Sequence, residues 1–345
     1  MSDNNKVKQP LFSMETKSGR ILNQLIYPVA FVLLYVIFNC ILSSKQGGGN
    51  VLLNWKAFSV LIVQSVPNVF IAWGLLFLFS AGPDFSSAAV IQTACVASAI
   101  VAQALNKAGA NAFVCYLGFF IVGIGVSVIM QLGSTLVRRV FNLSAWVSGF
   151  AMMIFYEGVG SYYAQYMALR SRPIESLSAK LCRDLPHMPW PIILMVAGVA
   201  VHYFIMNRTT LGIEFRAVGS NPQVAGYMGI NSRKVAYLAT VVGAVFLGIS
   251  SCYTMSYAAK ISLNTGMGSM AMLGKGLSTF LISAAINRKL NPTFAVLLAG
   301  IFLSTFFNVL TRMGVPAGTW QEFIMGIFIV VFASLAFAGN REVVK

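Results

Sequence analysis

Residues able to do covalent chemistry are few in this sequence, and they stand apart. The histidines are His187 and His202, and the cysteines are Cys40, Cys95, Cys115, Cys182 and Cys252. No CxxC pair or Cys/His cluster has the spacing a metal site needs. Most of the cysteines fall inside or at the edge of apolar runs, where a free thiol behaves as a small hydrophobe. Both histidines read as interfacial or packed side chains rather than ligands. The nearest approach to a phosphate-cradling loop is Gly268-Ser-Met-Ala-Met-Leu-Gly274-Lys275-Gly276. Its glycines are one residue too far apart for a P-loop, and Gly276 stands where Ser or Thr would hold magnesium. The stretch also lies in an apolar segment. No cofactor and no catalytic residue is expected, because a membrane enzyme would need clustered His, Cys or carboxylates.

What remains are isolated charges in apolar surroundings. Glu157 sits in Ile154-Phe-Tyr-Glu-Gly-Val-Gly160, Lys275 lies within a later apolar run, and Glu322 stands near the start of the last one. A charge at bilayer depth costs several kcal/mol on insertion scales, so it should face a cavity or a partner. Two readings stand for Glu157 and Lys275. They line a polar path, or they form a buried pair that fixes helix packing. Gly158 and Gly160 beside Glu157 also permit a helix break or a close approach there. Asp84 follows Gly82-Pro83, where proline ends one helix and the carboxylate caps the next. It is the third candidate for the path, although a tight turn would account for it equally.

The elements that carry these residues are set by composition. Apolar residues make up 57% of the chain and charged ones 10%. A soluble domain carries about a quarter charged residues, and one this apolar would aggregate through its exposed patches. A spanning helix needs about 20 apolar residues. Uncharged stretches of that order recur along the chain, too long for the strands of an outer-membrane barrel. The expected fold is all-α, a polytopic helical bundle of about ten spans. The spans fall near 22–42, 57–79, 85–105, 112–132, 143–168, 189–206, 235–255, 269–286, 291–310 and 318–338. The polar residues ahead of the first run argue against a cleavable signal peptide. The chain divides into a basic cytoplasmic tail 1–20, a membrane domain 21–340 and a short tail 341–345.

Placing both termini inside puts fourteen basic residues in cytoplasmic segments and nine on the other side. That bias favours an N-in, C-in orientation. The external segment 169–188 works against it, with Arg170, Arg172, Lys180 and Arg183. The net charge of +15 reads as orientation and contact with anionic lipid. Nucleic-acid binding would need basic residues on one soluble face, and no soluble domain is present.

The long cytoplasmic loop 207–234 has helical signals of its own. Asn221 is a plausible N-cap, Pro222 suits the first helical position, Gln223 to Met228 make a short helix, and Gly229 ends it. Ala225, Met228 and Gly229 give that helix a small apolar face. From the residues alone, a helix resting on the lipid surface and a helix docking a partner stand equally. The stretch Arg216-Ala-Val-Gly-Ser-Asn-Pro-Gln-Val-Ala225, followed by Gly229-Ile230-Asn231, resembles the cytoplasmic loop of ABC-importer permeases of the ribose/galactose and nucleoside group. Gly82-Pro-Asp84-Phe-Ser86 resembles the Gly-Ile-Asp-Leu-Ser-Val-Gly segment of that family, departing at Pro83 and lacking the final Val-Gly. Gly314-Val-Pro-Ala-Gly-Thr-Trp-Gln321, running on to Gly326, is similar to the family's last hairpin. The resemblance covers most of the chain from about residue 60 onward. The family's Gly-Gly-rich stretch before the penultimate spans is missing, since 266–287 holds only Gly266, Gly268, Gly274 and Gly276.

The resemblance implies a transport subunit of a bacterial inner membrane. Glu214, Arg216, Gly219, Asn221, Pro222, Ala225 and Gly229 would couple it to a separate ATP-binding cassette ATPase. An extracytoplasmic solute-binding protein would deliver the solute, with 169–188 as a docking surface. A second copy or a homologous permease would complete the path. A monosaccharide is the implied solute, with a nucleoside as the close alternative. An ion-coupled secondary transporter is the rival of a different class. Glu157 suits it, but the internal repeat such transporters show is not evident.

Overall fold

Why these residues must be helical follows from the solvent. Hydrocarbon offers no partner for backbone N–H and C=O groups, so each spanning segment has to satisfy them internally. The computed structural model describes residues 17–45, 54–80, 82, 84–169, 181–258, 261–286, 290–315 and 318–338, and among these every regular element is an α-helix. The long helices are α1 (Lys17–Lys45), α2 (Trp55–Ser80), α3 (Ser87–Lys107), α4 (Ala112–Val140), α5 (Ala145–Leu169), α6 (Trp190–Arg208), α9 (Ser232–Ala258), α10 (Met270–Ile286), α11 (Pro292–Arg312) and α12 (Thr319–Ala338). Two short ones, α7 (Thr210–Ser220) and α8 (Pro222–Tyr227), lie between α6 and α9. A long helix therefore occupies each expected span. Among the described residues, α2, α3, α4, α6, α9 and α11 are long and apolar enough to cross a membrane, and α10 and α12 carry shorter apolar stretches. The protein is an all-α polytopic membrane bundle. The expected tail 341–345, most of the tail 1–20, most of 169–188 and Pro83 lie outside the described residues.

At the centre, α2 and α9 approach backbone to backbone. A Cβ on Gly74 would lie 2.9 Å from the Gly243 carbonyl oxygen, and one on Gly243 would lie 2.8 Å from that of Gly74. Small residues permit such contacts, and close van der Waals packing is the main source of helix association in lipid. On its other side α9 meets α4, where a Cβ on Gly248 would lie 2.6 Å from the Ile124 Cα. Large rings fill the space flanking the α2–α9 contact. Trp73 stacks on His202 with centroids 5.4 Å apart, Phe77 stacks on Phe246 at 5.9 Å, and Phe70 meets Trp73 edge-on at 5.3 Å. His202 is fully buried, with Nδ1 2.8 Å from the Thr293 hydroxyl, and Trp73 Nε1 donates to the Thr293 carbonyl at 3.3 Å. The expectation of a packed rather than ligating His202 agrees with this arrangement.

Pro67 lies inside α2 and removes one helix hydrogen bond. The Ser250 hydroxyl of α9 donates to the Pro67 carbonyl at 3.0 Å, so the partner helix secures the interrupted segment. Outward faces are apolar, with Phe113, Ile121 and Ile129 of α4 and Val196 and Phe204 of α6 exposed. In water such a surface would be a liability, whereas against lipid it is required.

The glycine contact makes a direct prediction. Gly243→Val adds volume where a neighbouring backbone leaves none and should destabilise the bundle by on the order of 2–3 kcal/mol. Purified in detergent, it should show a lower melting temperature and yield. Gly226→Ala, at a position with nothing within 4 Å of the added Cβ, should leave both unchanged or slightly raised.

Candidate functional site

The loop between α6 and α9 is built residue by residue. Thr209 closes one helix and opens the next. Its hydroxyl donates to the Ile205 carbonyl at 2.6 Å and accepts from the Gly212 amide at 3.4 Å. Gly212 sits so close to the end of α6 that a Cβ would lie 2.6 Å from the Ile205 oxygen. Arg216 folds back over the junction, with Nε donating to the Gly212 carbonyl at 3.1 Å and Nη2 to the Met206 carbonyl at 2.9 Å. It thereby satisfies a carbonyl that the end of α6 leaves open. The buried face of α7 is Gly212, Phe215 and Val218, and Phe215 meets Phe77 of α2 edge-on at 5.3 Å. Glu214 is half-buried and Gly219 exposed on the same helix.

Asn221 interrupts the chain with an extended backbone (φ −157°, ψ 106°). Its Oδ1 accepts from the amides of Gln223 at 3.0 Å and Val224 at 3.2 Å, and Pro222 takes the first helical position. Gly229 has φ +79°, its amide donates to Gly226 at 3.0 Å, and that of Ile230 donates to Ala225 at 3.0 Å. This bond pair is the Schellman closure. Asn221, Pro222 and Gly229 thus hold the capping positions expected of them. The helix ends one residue earlier than expected, with Met228 as its C-cap.

Ala225 requires a correction. It was expected on the face offered to a partner, but it is 1% exposed and packs in the same cluster as Phe215, Val218 and Val235. The exposed large apolar side chains here are Val224 (51%), Tyr227 (92%) and Met228 (73%). Helical spacing explains this. Val224 and Tyr227, three residues apart, turn to one side of α8 while Ala225 turns to the other, and Met228 is the C-cap residue beyond the helix. α7 was also not foreseen as a helix, although Leu211, Phe215 and Val218 have amphipathic spacing.

A cavity of about 490 Å³ into which several amide and hydroxyl side chains converge lies toward the C-terminal end of α9, the end away from α8. Gln64 and Asn68 line it from α2, Ser304 and Asn308 from α11, Tyr257 from α9 and Lys275 from α10. Asn308 Nδ2 donates to Gln64 Oε1 at 3.4 Å, and Asn68 Nδ2 donates to the Gln64 carbonyl at 3.1 Å. Arg312 Nε donates to Asn308 Oδ1 at 2.8 Å. The Lys275 ammonium stands 5.2 Å from the Phe307 ring centroid, a cation–π distance. The sequence signal for this cavity was amides and hydroxyls four residues apart inside apolar runs, Gln64 with Asn68 and Ser304 with Asn308.

Glu157 and Lys275 do not serve each other. Glu157 is 3% exposed, and both its oxygens accept backbone amides, Oε2 from Met267 at 2.8 Å and Oε1 from Ser269 at 2.9 Å. Those amides lead into the N-terminus of α10, where a carboxylate is favoured by unpaired N–H groups and the helix dipole. Asp84 is likewise bonded within the chain. Its Oδ1 accepts from the Ser86 amide at 2.9 Å and its Oδ2 from Gln131 Nε2 at 2.7 Å. Burial pushes the Asp84 carboxyl above its ordinary range, and the Arg138 charge opposes that. Of the three expected path residues, Lys275 lines this cavity. Glu322 lies in the first turn of α12 and lines a separate, mainly apolar cavity with Leu273, Gly274 and Met325.

The comparisons with known proteins bear on this architecture as a whole. The inner membrane ABC transporter permease protein YjfF of Escherichia coli K12 is 24% identical over 77% of this chain and 78% of its own length. The guanosine ABC transporter permease protein NupP of Bacillus subtilis 168 is 27% identical over 48% of this chain and 45% of its own. The autoinducer 2 import system permease protein LsrC of Escherichia coli K12 is 27% identical over 48% and 46%. No solved structure matches. The model of the family described as the permease component of branched-chain amino acid transport systems matches residues 57–333, nearly the whole helical bundle, and the chain belongs to that family of inner-membrane permeases.

Proposed function

We propose that this chain is the membrane-spanning subunit of an ABC importer for a monosaccharide, with both termini in the cytoplasm and ATP hydrolysed on a separate ATPase subunit. The observation that carries the reading is α8, a capped short helix with Val224, Tyr227 and Met228 exposed and Ala225 anchored in the bundle. A helix so mounted fits a helix-in-groove contact with a partner. The names of YjfF, NupP and LsrC as permease proteins support it. Family membership also favours this reading over an ion-coupled transporter. A solute-binding protein delivers the solute on the side of the Lys275 cavity, and a second copy or homologous permease completes the path.

The amide and hydroxyl groups of the cavity suit a hydroxylated ring, which Phe307 and Tyr257 can contact through its apolar face. Lys275 adds a strong donor. In this reading Glu157 and Asp84 are positioning residues that hold the start of α10 and the α2–α3 turn. A nucleoside is the second reading, favoured by the guanosine specificity in the name of NupP.

Three outcomes test the proposal. Tyr227→Asp or Met228→Asp places an unpaired charge in a contact that must be desolvated, at a cost of several kcal/mol. Either should insert normally yet co-purify the ATPase at least about tenfold more weakly. Normal co-purification and coupled hydrolysis would exclude α8 as the docking element. Ala225→Arg should instead lower the melting temperature, because its side chain must enter the core.

Lys275→Gln removes one charge-assisted donor, worth about 1.5–3 kcal/mol. The Km for uptake should rise about tenfold or more across a panel of pentoses, hexoses and nucleosides, with assembly intact. An unchanged Km for the transported solute would remove Lys275 from the path.

The orientation is checked with an impermeant thiol reagent in a Cys40→Ser background. Asn106→Cys should label from outside and Ser220→Cys should not. The reverse pattern would invert the topology.

A further inference from the structure

A second cavity, of about 630 Å³, lies between the C-terminal end of α4 and the N-terminal end of α9. Arg138, Arg139 and Arg233 line it together with Asn142 and Tyr237, and its lining holds no acidic residue. The Arg139 guanidinium stands 4.6 Å above the Tyr237 ring, which orients it across the gap between the helices. Its Nε is buried and has no hydrogen-bond partner. A buried guanidinium donor left open costs free energy unless something accepts from it. The Asp84 carboxylate is close enough to act electrostatically on Arg138, and with Arg139 and Arg233 also present the cluster keeps a net positive charge. The N-terminus of α9 adds its dipole to the same side, with Asn231 Oδ1 already bonded to the Arg233 and Lys234 amides at 3.1 and 3.2 Å.

Depth and surroundings identify the kind of anion. α4 and α9 have 29 and 27 residues, so each is about 40 Å long, some 10 Å more than the hydrocarbon thickness. Their paired ends therefore emerge into the headgroup layer. The apolar part of the lining beside the arginines is exposed, Val140 at 63% and Leu143 at 38%. A site that is cationic inside, apolar at its rim and set at headgroup depth matches an amphiphile with an anionic phosphodiester.

We propose that the cavity between α4 and α9 binds the headgroup of an anionic phospholipid, with Arg139 and Arg233 holding the phosphate and Val140 and Leu143 lying along the acyl chains. Guanidinium groups pair with phosphate through paired N–H donors, which a single ammonium does not reproduce. The site is on the α8 face, one helical turn from the loop, and through Arg138 it adjoins the Asp84 turn. It is separate from the solute cavity and does not depend on which solute is carried.

The full chain in detergent is titrated with phosphatidylglycerol, phosphatidylcholine and glycerol 3-phosphate. Bound lipid is counted by native mass spectrometry and the melting temperature is followed alongside. Phosphatidylglycerol should bind and raise the melting temperature, phosphatidylcholine should do so far less, and 1 M salt should weaken the difference. R139Q/R233Q should bind phosphatidylglycerol at least about tenfold more weakly. R139K/R233K should fall between it and the wild type, and Lys107→Gln, at the opposite end of α3, should match the wild type. Wild-type chain that does not distinguish the two lipids would overturn the proposal even if the double variant failed to fold. Retained phosphatidylglycerol affinity in a folded R139Q/R233Q would overturn it too. Equal stabilisation by glycerol 3-phosphate would assign the cavity to a soluble phosphoester instead. Unchanged lipid binding with lost ATPase retention would make these arginines a protein contact.

Discussion

The backbone contact between Gly74 of α2 and Gly243 of α9 sets the geometry of everything around it. Lipid supplies almost no hydrophobic drive for two apolar helices to associate, so their approach has to come from close packing. With no side chain at either position, each carbonyl oxygen occupies the space a Cβ on the opposite glycine would need, and the large rings are displaced to the flanks. That displacement is why Phe70, Trp73, Phe77 and Phe246 form one cluster on α2 and α9, with His202 of α6 stacked into it. The Ser250 bond to the Pro67 carbonyl fixes the same pair a few turns further on. A side chain at either glycine would change the spacing that all these contacts share.

The paired helices also join the two ends of the molecule. α8 leads into the N-terminus of α9, and Ala225 and Phe215 are packed in the cluster that contains Phe77 and Val235. At the other ends of α2 and α9 lie Gln64, Asn68 and Tyr257, on the wall of the solute cavity. Close-packed interiors transmit displacement rather than absorb it. In the proposed mechanism a partner that binds α8 differently in two states has a direct mechanical route to the cavity, and differential binding is what a conformational switch requires.

How much of this was legible in the sequence depended on how local the determinant was. The helices were legible because bilayer thickness imposes a length on uncharged runs. The caps of α8 were legible because Asn221, Pro222 and Gly229 act on backbone groups within a few residues of themselves. The direction of Ala225 was not, because a small apolar residue suits an interface and a core equally, and only the position of Phe215 and Val235 decides between them. α7 was obscured by its polar and glycine residues, and its helicity depends on Phe215 reaching Phe77 of a distant helix. The cavity amides went unread because uncharged polar groups are common in spans, and their convergence from α2 and α11 is a tertiary fact. Of residues 169–188, on which the external docking surface was expected, 170–180 lie outside the described segments.

Glu157 and Lys275 illustrate the same limit in the electrostatics. Sequence distance and opposite charge made a buried pair natural, since desolvating either charge alone is costly. The fold resolves the two charges separately. The carboxylate is held in place by two backbone amides at the start of α10, groups that any helix N-terminus leaves unpaired. Glu157 is 3% exposed, and each oxygen is already engaged by a backbone amide, so the carboxylate is held in the packing rather than offered to a cavity. The ammonium, one turn further along α10, points to a ring and a cavity of amides instead, and it keeps donors that its own chain does not take up. Fixing the anion on the backbone therefore both anchors α10 and leaves the cation free of a counter-charge. That division of labour is the reason the proposed path runs past Lys275 and not past Glu157.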